Sequence, residues 1–433
     1  MFSALFTDDF KQTPYWWEAA APSPRSTGAL PQKPVDVAII GSGYTGLHAA
    51  IQTARAGCST LVLEAEAAGF GASSRNGGQV STSVKPSLAK LTKRYGAELA
   101  AEILREGQAS RDYVEDFITS EGINCHFQVP GRFHGAHTAK YYDILARESA
   151  AAGILKTDAF MVPRSDQHSA LGTDAYYGGV VFPHHASLHP ALYHKGLLGV
   201  AQGAGAQVVS HCRVNGIARQ AGGLFTLDTA NGPVQARRVI LATNGYTSGI
   251  TPWQQRRVIP IGSYIIATEE LPTELMDRLM PTDRILSDTR KLVYYYRPSP
   301  DRKRILFGGR VSLQESDPKI TGPRLHAELV HLFPELAKTK ISHSWTGMVG
   351  YTFDTLMHAG QDNGLFYAMG YCGSGVGMAS YMGMRIGQQA ADNPEGMTAF
   401  NKIPFPTRPF YTGNPWFLAP SVMAYRIKDR LGF

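Results

Sequence analysis

A glycine pattern near the start of the chain has the spacing that binds a dinucleotide. Gly41, Gly43 and Gly46 form GxGxxG between the apolar run VDVAII (35–40) and residues 44–57, whose apolar positions recur at helical spacing. Such a turn lets the backbone approach a pyrophosphate, and the helix start offers free N–H groups to the phosphates. The predicted cofactor contacts in this turn are Gly41, Ser42, Gly43, Tyr44, Thr45 and Gly46.

An acidic residue ends the next predicted strand. The run TLVLEAE (60–66) places Glu64 at the strand end, followed by Ala65. A carboxylate at this position accepts hydrogen bonds from the ribose hydroxyls of an adenosine and repels the 2′-phosphate of NADP. The strand–helix–strand unit therefore predicts FAD or NAD, with Glu64 and Ala65 against the cofactor.

Two further glycine-rich segments favour FAD. GFGASSRNGGQV (69–80) supplies small residues and N–H donors for a flavin edge, and its Arg75 and Asn76 can address phosphate or ring heteroatoms. GYCGSGVGM (370–378) precedes a helix whose start can stabilise negative charge on a reduced flavin. A second helix start of this kind has little use in a plain NAD dehydrogenase. The predicted contacts are Gly71, Ala72, Ser73, Arg75, Asn76, Gly77, Gly78, Gln79, Gly373, Gly375, Val376 and Gly377.

Two shorter segments complete the predicted cofactor site. RRVILATNGYT (237–247) ends a strand in a small-residue turn, where Thr243 and Asn244 are expected to face the cofactor. Val214 lies on another predicted strand, whose backbone N–H and C=O can form hydrogen bonds with an adenine.

Aromatic and basic residues of the second half are candidates for the substrate side. In KLVYYYR (291–297), strand alternation predicts that Tyr294 and Tyr296 point together, with Tyr295 opposite. An apolar, aromatic-walled site lowers the pKa of an amine and excludes water. The candidate catalytic residues are Tyr294, Tyr296, Trp345, Tyr351, Arg310 and His189. Core packing, a structural ion pair or helix capping is the alternative role for each, and Arg297 is a second candidate for binding a carboxylate.

Composition argues against several other functions. The chain has 433 residues with a formal net charge of +7 and no long basic tract, which argues against nucleic-acid binding. Four scattered cysteines, Cys58, Cys125, Cys212 and Cys372, show no metal-ligand spacing, so we expect reduced thiols, a cytoplasmic protein and no metal site. No run of eighteen apolar residues predicts a membrane span.

Taken together, these motifs resemble the D-amino-acid-oxidase-type family of FAD-dependent amine oxidases. The matching segments, which recur in family order along nearly the whole chain, are PYWW (14–17), GSGYTGL (41–47), GFGASSRNGGQ (69–79), HP (189–190), YYYR (294–297), GGR (308–310), WTG (345–347), GYCGSGV (370–376) and DRLG (429–432). The resemblance is closest to members that oxidise γ-glutamylputrescine. It implies hydride transfer from the substrate α-carbon to flavin N5, giving an imine that hydrolyses.

Three departures from the family pattern refine these expectations. Asn76 stands where some relatives attach the flavin covalently through a histidine, and WTGMVGY (345–351) lacks the cysteine that others use, so we expect non-covalent FAD. Gly377 stands where sarcosine oxidases place the lysine that binds the substrate carboxylate. Arg310 is then the expected carboxylate partner.

Several alternatives remain open from the sequence. The substrate can be a secondary, D- or L-amino acid, as in L-pipecolate or sarcosine oxidation, and the chain can be a flavin-binding subunit without turnover. The expected partners are a small amine or amino acid and either oxygen or a quinone-linked electron acceptor.

The order of predicted elements indicates an α/β fold with two interleaved domains. We expect a Rossmann-like, glutathione-reductase-type FAD-binding domain interleaved with a β-rich α+β substrate domain. The expected division is an N-terminal arm at 1–34, the FAD-binding domain at 35–122, 186–254 and 341–395, the substrate domain at 123–185 and 255–340, and a tail at 396–433. Helices are predicted at 86–120, 138–152, 190–204, 323–337 and 376–392.

Overall fold

The structure, a computed structural model, describes residues 3–25, 28–82, 84–151, 158–312 and 316–432. Its strands are β1 (Phe6–Lys11), β2 (Val35–Ile40), β3 (Thr60–Leu63), β4 (Gln79–Val80), β5 (Arg132–Gly135), β6 (Phe160–Val162), β7 (Gly179–Phe182), β8 (Ala186–Ser187), β9 (Gln207–Val209), β10 (Val214–Arg219), β11 (Phe225–Thr229), β12 (Val234–Leu241), β13 (Ile259–Thr268), β14 (Ile285–Asp288), β15 (Tyr295–Pro298), β16 (Ile305–Gly309), β17 (Ile341–Tyr351), β18 (His358–Asp362) and β19 (Leu365–Met369). Its helices are α1 (Tyr44–Arg55), α2 (Leu88–Tyr95), α3 (Ala97–Ser120), α4 (Ala139–Ala151), α5 (Pro190–Gly203), α6 (Pro252–Gln255), α7 (Thr273–Leu279), α8 (Pro318–Leu332), α9 (Gly375–Ala390) and α10 (Leu418–Leu431).

The first sheet has the predicted strand–helix–strand unit at its centre. Its order is β10-β11-β12-β2-β3-β9, and β19 pairs with β12 and β18. β2 runs parallel to both β3 and β12. Strands of parallel sheets are usually buried on both faces. Val37, Ala38 and Ile39 are fully buried there, which explains why the run is apolar without alternation. α1 and α9 cover one side of this sheet and pack against each other.

The second sheet separates two apolar layers. Its order is β1-β17-β13-β16-β15-β14-β5-β7-β6. One face packs beneath α8, where Phe307 and Ile266 share a core with Leu325 and Leu329. The other face meets the N-terminal arm and α5, so both faces are covered and the strands contain few exposed positions.

Two segments join this second sheet rather than the places expected for them. Residues 341–351, expected in the FAD-binding domain, form β17, which pairs antiparallel along the length of β13. β17 has 11 residues and β13 has 10, so the two long strands satisfy each other's backbone groups. Part of the N-terminal arm forms β1, a parallel edge strand beside β17.

Most predicted helices lie close to their expected positions, with two differences. The helix expected over 86–120 is divided by Gly96, whose φ of +84° ends α2 and precedes α3. α8 begins at Pro318 rather than near residue 323, because Asp317 caps it by accepting the N–H of Lys319 at 2.7 Å. Among the described residues, no helix combines the length and apolarity needed to cross a membrane.

Candidate active site

The glycine turn after β2 has no room for larger side chains. Gly41 has a φ of +103°, and a Cβ on it would lie 3.0 Å from the carbonyl oxygen of Ala242. A Cβ on Gly46 would lie 1.9 Å from the carbonyl oxygen of Gly41. The two glycines therefore let α1 begin directly against the turn, which is the geometry that a pyrophosphate requires.

Glu64 is held beside this turn by hydrogen bonds. Its Oε2 accepts from the backbone N–H and the hydroxyl of Ser42, at 2.9 and 2.7 Å. Ala65 follows it, partly exposed. Cys212 donates its N–H to the carbonyl oxygen of Glu64 at 2.8 Å, which brings the chain just before Val214 to the end of β3. The carboxylate is thus oriented at the place where adenosine ribose hydroxyls bind in such folds.

Residues 69–80, which we call the glycine segment, lie over the start of α1. The Ser73 hydroxyl oxygen accepts the N–H of Tyr44 at 2.9 Å and would lie at the same distance from a Cβ on Gly43. Ala72–Ser74 forms a 3-10 turn that follows Gly71. Two of the predicted cofactor segments therefore meet at a helix N-terminus, where the dipole and free N–H groups favour an anion.

Three tryptophan side chains hold the glycine segment from its other side. At 2.8 Å each, Trp17 donates to the Ser74 hydroxyl, Trp345 to the Arg75 carbonyl oxygen and Trp16 to the Asn76 carbonyl oxygen. Trp16 and Trp345 are fully buried. Trp345, which the sequence suggested as a substrate-side residue, therefore positions the glycine segment. Trp16 and Trp17 have the same role, which the sequence pattern alone does not reveal.

Arg75 and Asn76 shape the glycine segment itself. The Arg75 guanidinium lies 4.5 Å from the ring centroid of Trp17 and 4.3 Å from that of Phe70. The Asn76 Oδ1 accepts the N–H of Gly78 at 2.8 Å. Their expected contacts with phosphate or ring heteroatoms stay predictions, because both side chains already have protein partners.

Tyr295 lies against the glycine segment. Its ring is 3.2 Å from the position of a Cβ on Gly77, and its hydroxyl is 2.8 Å from the Ser263 Oγ. Gln79 donates from Nε2 to the carbonyl oxygens of Leu286 and Tyr296, at 3.2 and 3.3 Å. These contacts join the segment to β14 and β15.

Tyr294 and Tyr296 lie on the opposite side. Their ring centroids are 5.4 and 5.5 Å from that of Phe307, in the core beneath α8. Tyr296 is buried, and its hydroxyl donates to the Tyr176 hydroxyl at 3.2 Å. The alternation of the three tyrosines is as predicted, but the assignment of Tyr294 and Tyr296 to the substrate side is corrected. Both sheet faces are covered, so alternation does not distinguish the cofactor-facing one.

The second glycine-rich helix start lies beside the first. The Tyr371 hydroxyl is 2.6 Å from the Thr45 Oγ1, which belongs to the first turn of α1. Asn244, next to Thr243 in the turn after β12, accepts the N–H of Gly370 through its Oδ1 at 2.9 Å. The predicted contacts at the start of α9 are Gly373, Gly375, Val376 and Gly377.

A lysine reaches this second glycine loop from another part of the chain. The Lys85 Nζ lies 4.0 Å from the position of a Cβ on Gly373 and 5.5 Å from the ring centroid of Tyr351. Interaction with Tyr351 raises the pKa of Lys85, so the side chain is cationic at neutral pH. Sequence pattern does not predict this role, although one signal is present: Lys85 is the only charged residue between Arg75 and Lys90.

β5 contributes Arg132 and His134 to the face of the second sheet that carries Tyr295. Arg132 and His134 are two residues apart and share a face, and register pairs Ser287 with both His134 and Tyr295. Burial, Arg132 and Lys85 together lower the pKa of His134 well below its usual value, so this ring is neutral. Burial lowers the pKa of Arg132 to about 10. We call Lys85 and Arg132 the cationic wall.

The other basic candidates have structural partners. Arg310 donates to the carbonyl oxygen of Gly262 at 2.5 Å, and Arg297 donates to that of Leu188 at 2.9 Å. His189 caps α5, with its Nδ1 accepting a backbone N–H at 3.2 Å, and burial lowers its pKa to about 4. In the described part of the chain, no group of three His, Cys, Asp or Glu residues is arranged to hold a metal ion.

Comparison with known proteins identifies the family. The family model DAO, described as FAD dependent oxidoreductase, matches residues 36–389. The chain belongs to this family. The Probable oxidoreductase OrdL of Rhizobium meliloti (strain 1021) is 30% identical to it over 402 residues, covering 91% of this chain and 92% of that protein. The Gamma-glutamylputrescine oxidoreductase of Escherichia coli (strain K12) is 28% identical over 402 residues, covering 92% and 93%.

Solved structures confirm the predicted α/β fold. Glycine oxidase from Geobacillus kaustophilus matches with a TM-score of 0.73 at 20% identity, covering 87% of this chain and 98% of that one. L-proline dehydrogenase from P. horikoshii matches with a TM-score of 0.71 at 15% identity, covering 90% and 99%. This DAO-family chain is therefore an FAD-dependent oxidoreductase.

Proposed function

We propose that this DAO-family enzyme oxidises a carbon–nitrogen bond in an amine that also carries a carboxylate. γ-Glutamylputrescine or a similar conjugate is the leading substrate. The observation that carries the proposal is the cationic wall, in which Lys85 lies beside the glycine loop at Gly373 and acts together with Arg132 on His134. Arg132 opposes the charged form of Lys85, burial opposes the charged form of Arg132, and a bound anion would stabilise both cations. The relative from Escherichia coli, named for γ-glutamylputrescine, supports the same substrate class.

The two neighbouring helix starts fit a bound FAD. A Cβ at Gly41 or Gly46 would collide with the backbone around the turn, so only glycine lets the start of α1 come this close to it. Both oxygens of Glu64, beside the turn, are directed by backbone N–H groups. The N–H groups at the start of α1 would hold the pyrophosphate. The glycine segment and the residues from Gly373 to Gly377 would hold the flavin, with Thr243 and Asn244 behind them.

We further propose that the FAD is bound without a covalent link. Asn76, at the position of the histidine anchor in some relatives, is not a nucleophile and closes its own loop by accepting from Gly78. Cys372 is buried, and its thiol donates to the carbonyl oxygen of Gly370 at 3.1 Å. Burial raises the pKa of this thiol to about 11, so it contains little of the thiolate needed for attack.

The same residues explain how an amine is prepared for oxidation. Bound FAD supplies the acceptor for a hydride from the substrate α-carbon. Lys85 and Arg132 attract the substrate carboxylate and so hold the substrate in the site. The apolar aromatic surroundings lower the pKa of the substrate ammonium, which populates the neutral amine whose lone pair assists hydride loss. Tyr295 and Tyr351 form aromatic walls that exclude water and orient the α-carbon.

A secondary amino acid, such as pipecolate or sarcosine, is the second candidate substrate. One observation favours it: Lys85 reaches the loop in which sarcosine oxidases place their carboxylate-binding lysine. A carboxylate held there would lie near the reacting carbon, as it does in an amino acid. The distance between the amine and the carboxylate of the best substrate separates the two candidates.

An anaerobic substrate panel tests the proposed function. The purified holoprotein is mixed without oxygen with γ-glutamylputrescine, pipecolate, sarcosine and simple amines, and the flavin absorbance is recorded. We expect bleaching by amines that carry a carboxylate. Bleaching by none of the compounds would contradict the proposal. Reoxidation by oxygen or by a quinone then identifies the electron acceptor. We also propose a cytoplasmic location, with which the four free cysteines are consistent.

A further inference from the structure

The C-terminal part of the chain exposes an unusual set of large apolar side chains. We define the C-terminal surface by Phe410, Trp416, Met423, Ile427 and Leu431, whose exposed fractions are 91%, 66%, 58%, 51% and 64%. They belong to the loop before α10 and to α10 itself. Single exposed apolar residues are ordinary, but several on one element mark a surface that binds something.

α10 has one face on the protein and one face in solvent. On the inner face, Val422 is buried and Asp429 accepts the backbone N–H groups of Lys291 and Leu292, at 2.8 and 3.1 Å. Met423, Ile427 and Leu431 are spaced by four residues, so they form a row on the outer face. The helix is therefore fixed to the protein with its apolar row directed outward.

Basic side chains surround this apolar row. From residue 403 to residue 433 the sequence contains four basic residues and a single acidic one, Asp429. Because Asp429 is bound to backbone N–H groups on the inner face, it does not neutralise the outer face. Arg408, Lys428 and Arg430 are exposed. Arg256, also exposed, lines a groove of about 560 Å³ together with Arg408 and Phe410.

This combination points to one kind of partner. An exposed helix with an apolar row, aromatic residues and flanking Lys/Arg is the pattern of a segment that lies in the interface of a lipid bilayer. A second copy of the chain fits less well, because a two-fold contact through this surface would bring the basic residues of both copies together. We propose that the C-terminal surface docks the protein on a bilayer that carries anionic headgroups. Docking would also bring the enzyme close to lipid-soluble quinones.

Vesicle binding by the holoprotein tests this proposal. We expect co-sedimentation with vesicles of equal parts phosphatidylglycerol and phosphatidylcholine, little with pure phosphatidylcholine, and loss of binding as salt is added. The charge-reversed variant Arg408→Glu/Arg430→Glu should bind at least roughly tenfold more weakly, since each basic residue near an anionic surface strengthens binding about fivefold. Lys195→Glu, an exposed residue on α5, is the matched control and should bind as the wild type does.

A second variant tests the apolar contribution. Phe410→Ser/Trp416→Ser should weaken binding to the anionic vesicles, whereas Phe160→Ser, at a 48% exposed position on β6, should not. Flavin absorbance and thermal melting of each variant show whether it is folded. Equal binding to both vesicle types, or no binding, would overturn the proposal. So would a dimer in sedimentation equilibrium that the same two substitutions dissociate, because the surface would then be an interface between copies.

Discussion

The indole N–H of Trp345 donates to the backbone carbonyl oxygen of Arg75 at 2.8 Å, across 270 residues of sequence. Trp345 lies on β17 of the second sheet, and Arg75 lies in the glycine segment above the start of α1. The bond therefore ties the second sheet to the segment that we expect to hold the flavin. The shape of either side depends on the other.

Removing this donor should weaken cofactor retention. Trp345→Phe keeps an aromatic ring and leaves a partly buried carbonyl group without this partner, a loss of about 1–3 kcal/mol. We expect a lower melting temperature and several-fold weaker FAD binding, measured by ultrafiltration of released flavin. Trp416→Phe, at an exposed position, is the matched control and should change neither quantity. Identical FAD affinity in the two variants would show that the bond does not support the cofactor site.

Glu64 should contribute directly to FAD binding. Glu64→Ala removes a charged acceptor at the glycine turn, and each hydrogen bond to such an acceptor contributes about 1.5–3 kcal/mol. FAD retention should therefore fall by roughly tenfold or more. Glu66→Ala removes a nearby carboxylate that pairs with Arg213 at 2.8 Å, and it should retain FAD. Unchanged affinity in Glu64→Ala would remove this residue from the cofactor site.

The non-covalent link has a simple test. Precipitation of the holoprotein with acid should leave all of the flavin absorbance in the supernatant, because Asn76 and the buried Cys372 do not attack the ring. Cys372→Ala should behave identically. Yellow colour that remains in the wild-type pellet but not in the variant pellet would identify Cys372 as an anchor.

Substitutions at Lys85 and at Arg310 distinguish the two possible binding sites for the substrate carboxylate. Lys85→Met should raise the KM for a carboxylate-bearing amine by roughly ten- to a hundredfold and leave that of its decarboxylated analogue nearly unchanged, because a charge-assisted hydrogen bond is lost. Arg310 donates to the backbone of β13, so Arg310→Ala should lower the melting temperature and affect both substrates alike. The reverse pattern, with selectivity lost only in Arg310→Ala, would place the carboxylate at Arg310.

Buried neutral histidines should make stability depend on pH. Burial lowers the pKa of His189 and His137 to about 4, whereas unfolded histidine has a pKa of about 6.5. Between these values unfolding takes up protons. The free energy of unfolding should therefore decrease as the pH falls from about 6.5 toward about 4, by about 1.4 kcal/mol per pH unit for each histidine.

A capping variant isolates one of these histidines. His189→Asn keeps an acceptor for the start of α5 and removes the titrating ring. Urea unfolding at several pH values should then show a shallower decrease than in the wild type. Parallel curves for the two proteins would mean that His189 has the same pKa in the folded and unfolded chains.

Local sequence patterns were sufficient to predict the strand, the glycine turn and the helix between Val35 and Arg55. Glycine is required at positions 41 and 46 because of contacts with residues a few positions away or at the end of the adjacent strand. The strand, the turn and the helix are also consecutive in the sequence, so their residue patterns can be recognised together. The glycine segment and the start of α9 are recognisable for the same reason. Strand alternation also predicted how Tyr294, Tyr295 and Tyr296 divide between two faces.

Contacts between distant segments were not predictable in this way. Which tyrosine meets the glycine segment depends on how the second sheet packs against the first, and both of its faces are apolar. Lys85 precedes α2 and α3, Gly373 precedes α9, and the contact between them accompanies the packing of α3 against α9. The sequence predicted that Trp16 and Trp17 belong to a surface arm, because their hydrogen-bond partners lie about 60 residues further along the chain.

The proposed role of the cationic wall is tested most directly by the rate of flavin bleaching in a single anaerobic turnover with γ-glutamylputrescine and with putrescine, which has the same reacting amine and no carboxylate. We expect γ-glutamylputrescine to bleach the flavin at a half-saturating concentration lower by roughly tenfold or more, because only it can bind Lys85 and Arg132. Equal half-saturating concentrations for the two amines, or bleaching by neither, would contradict it.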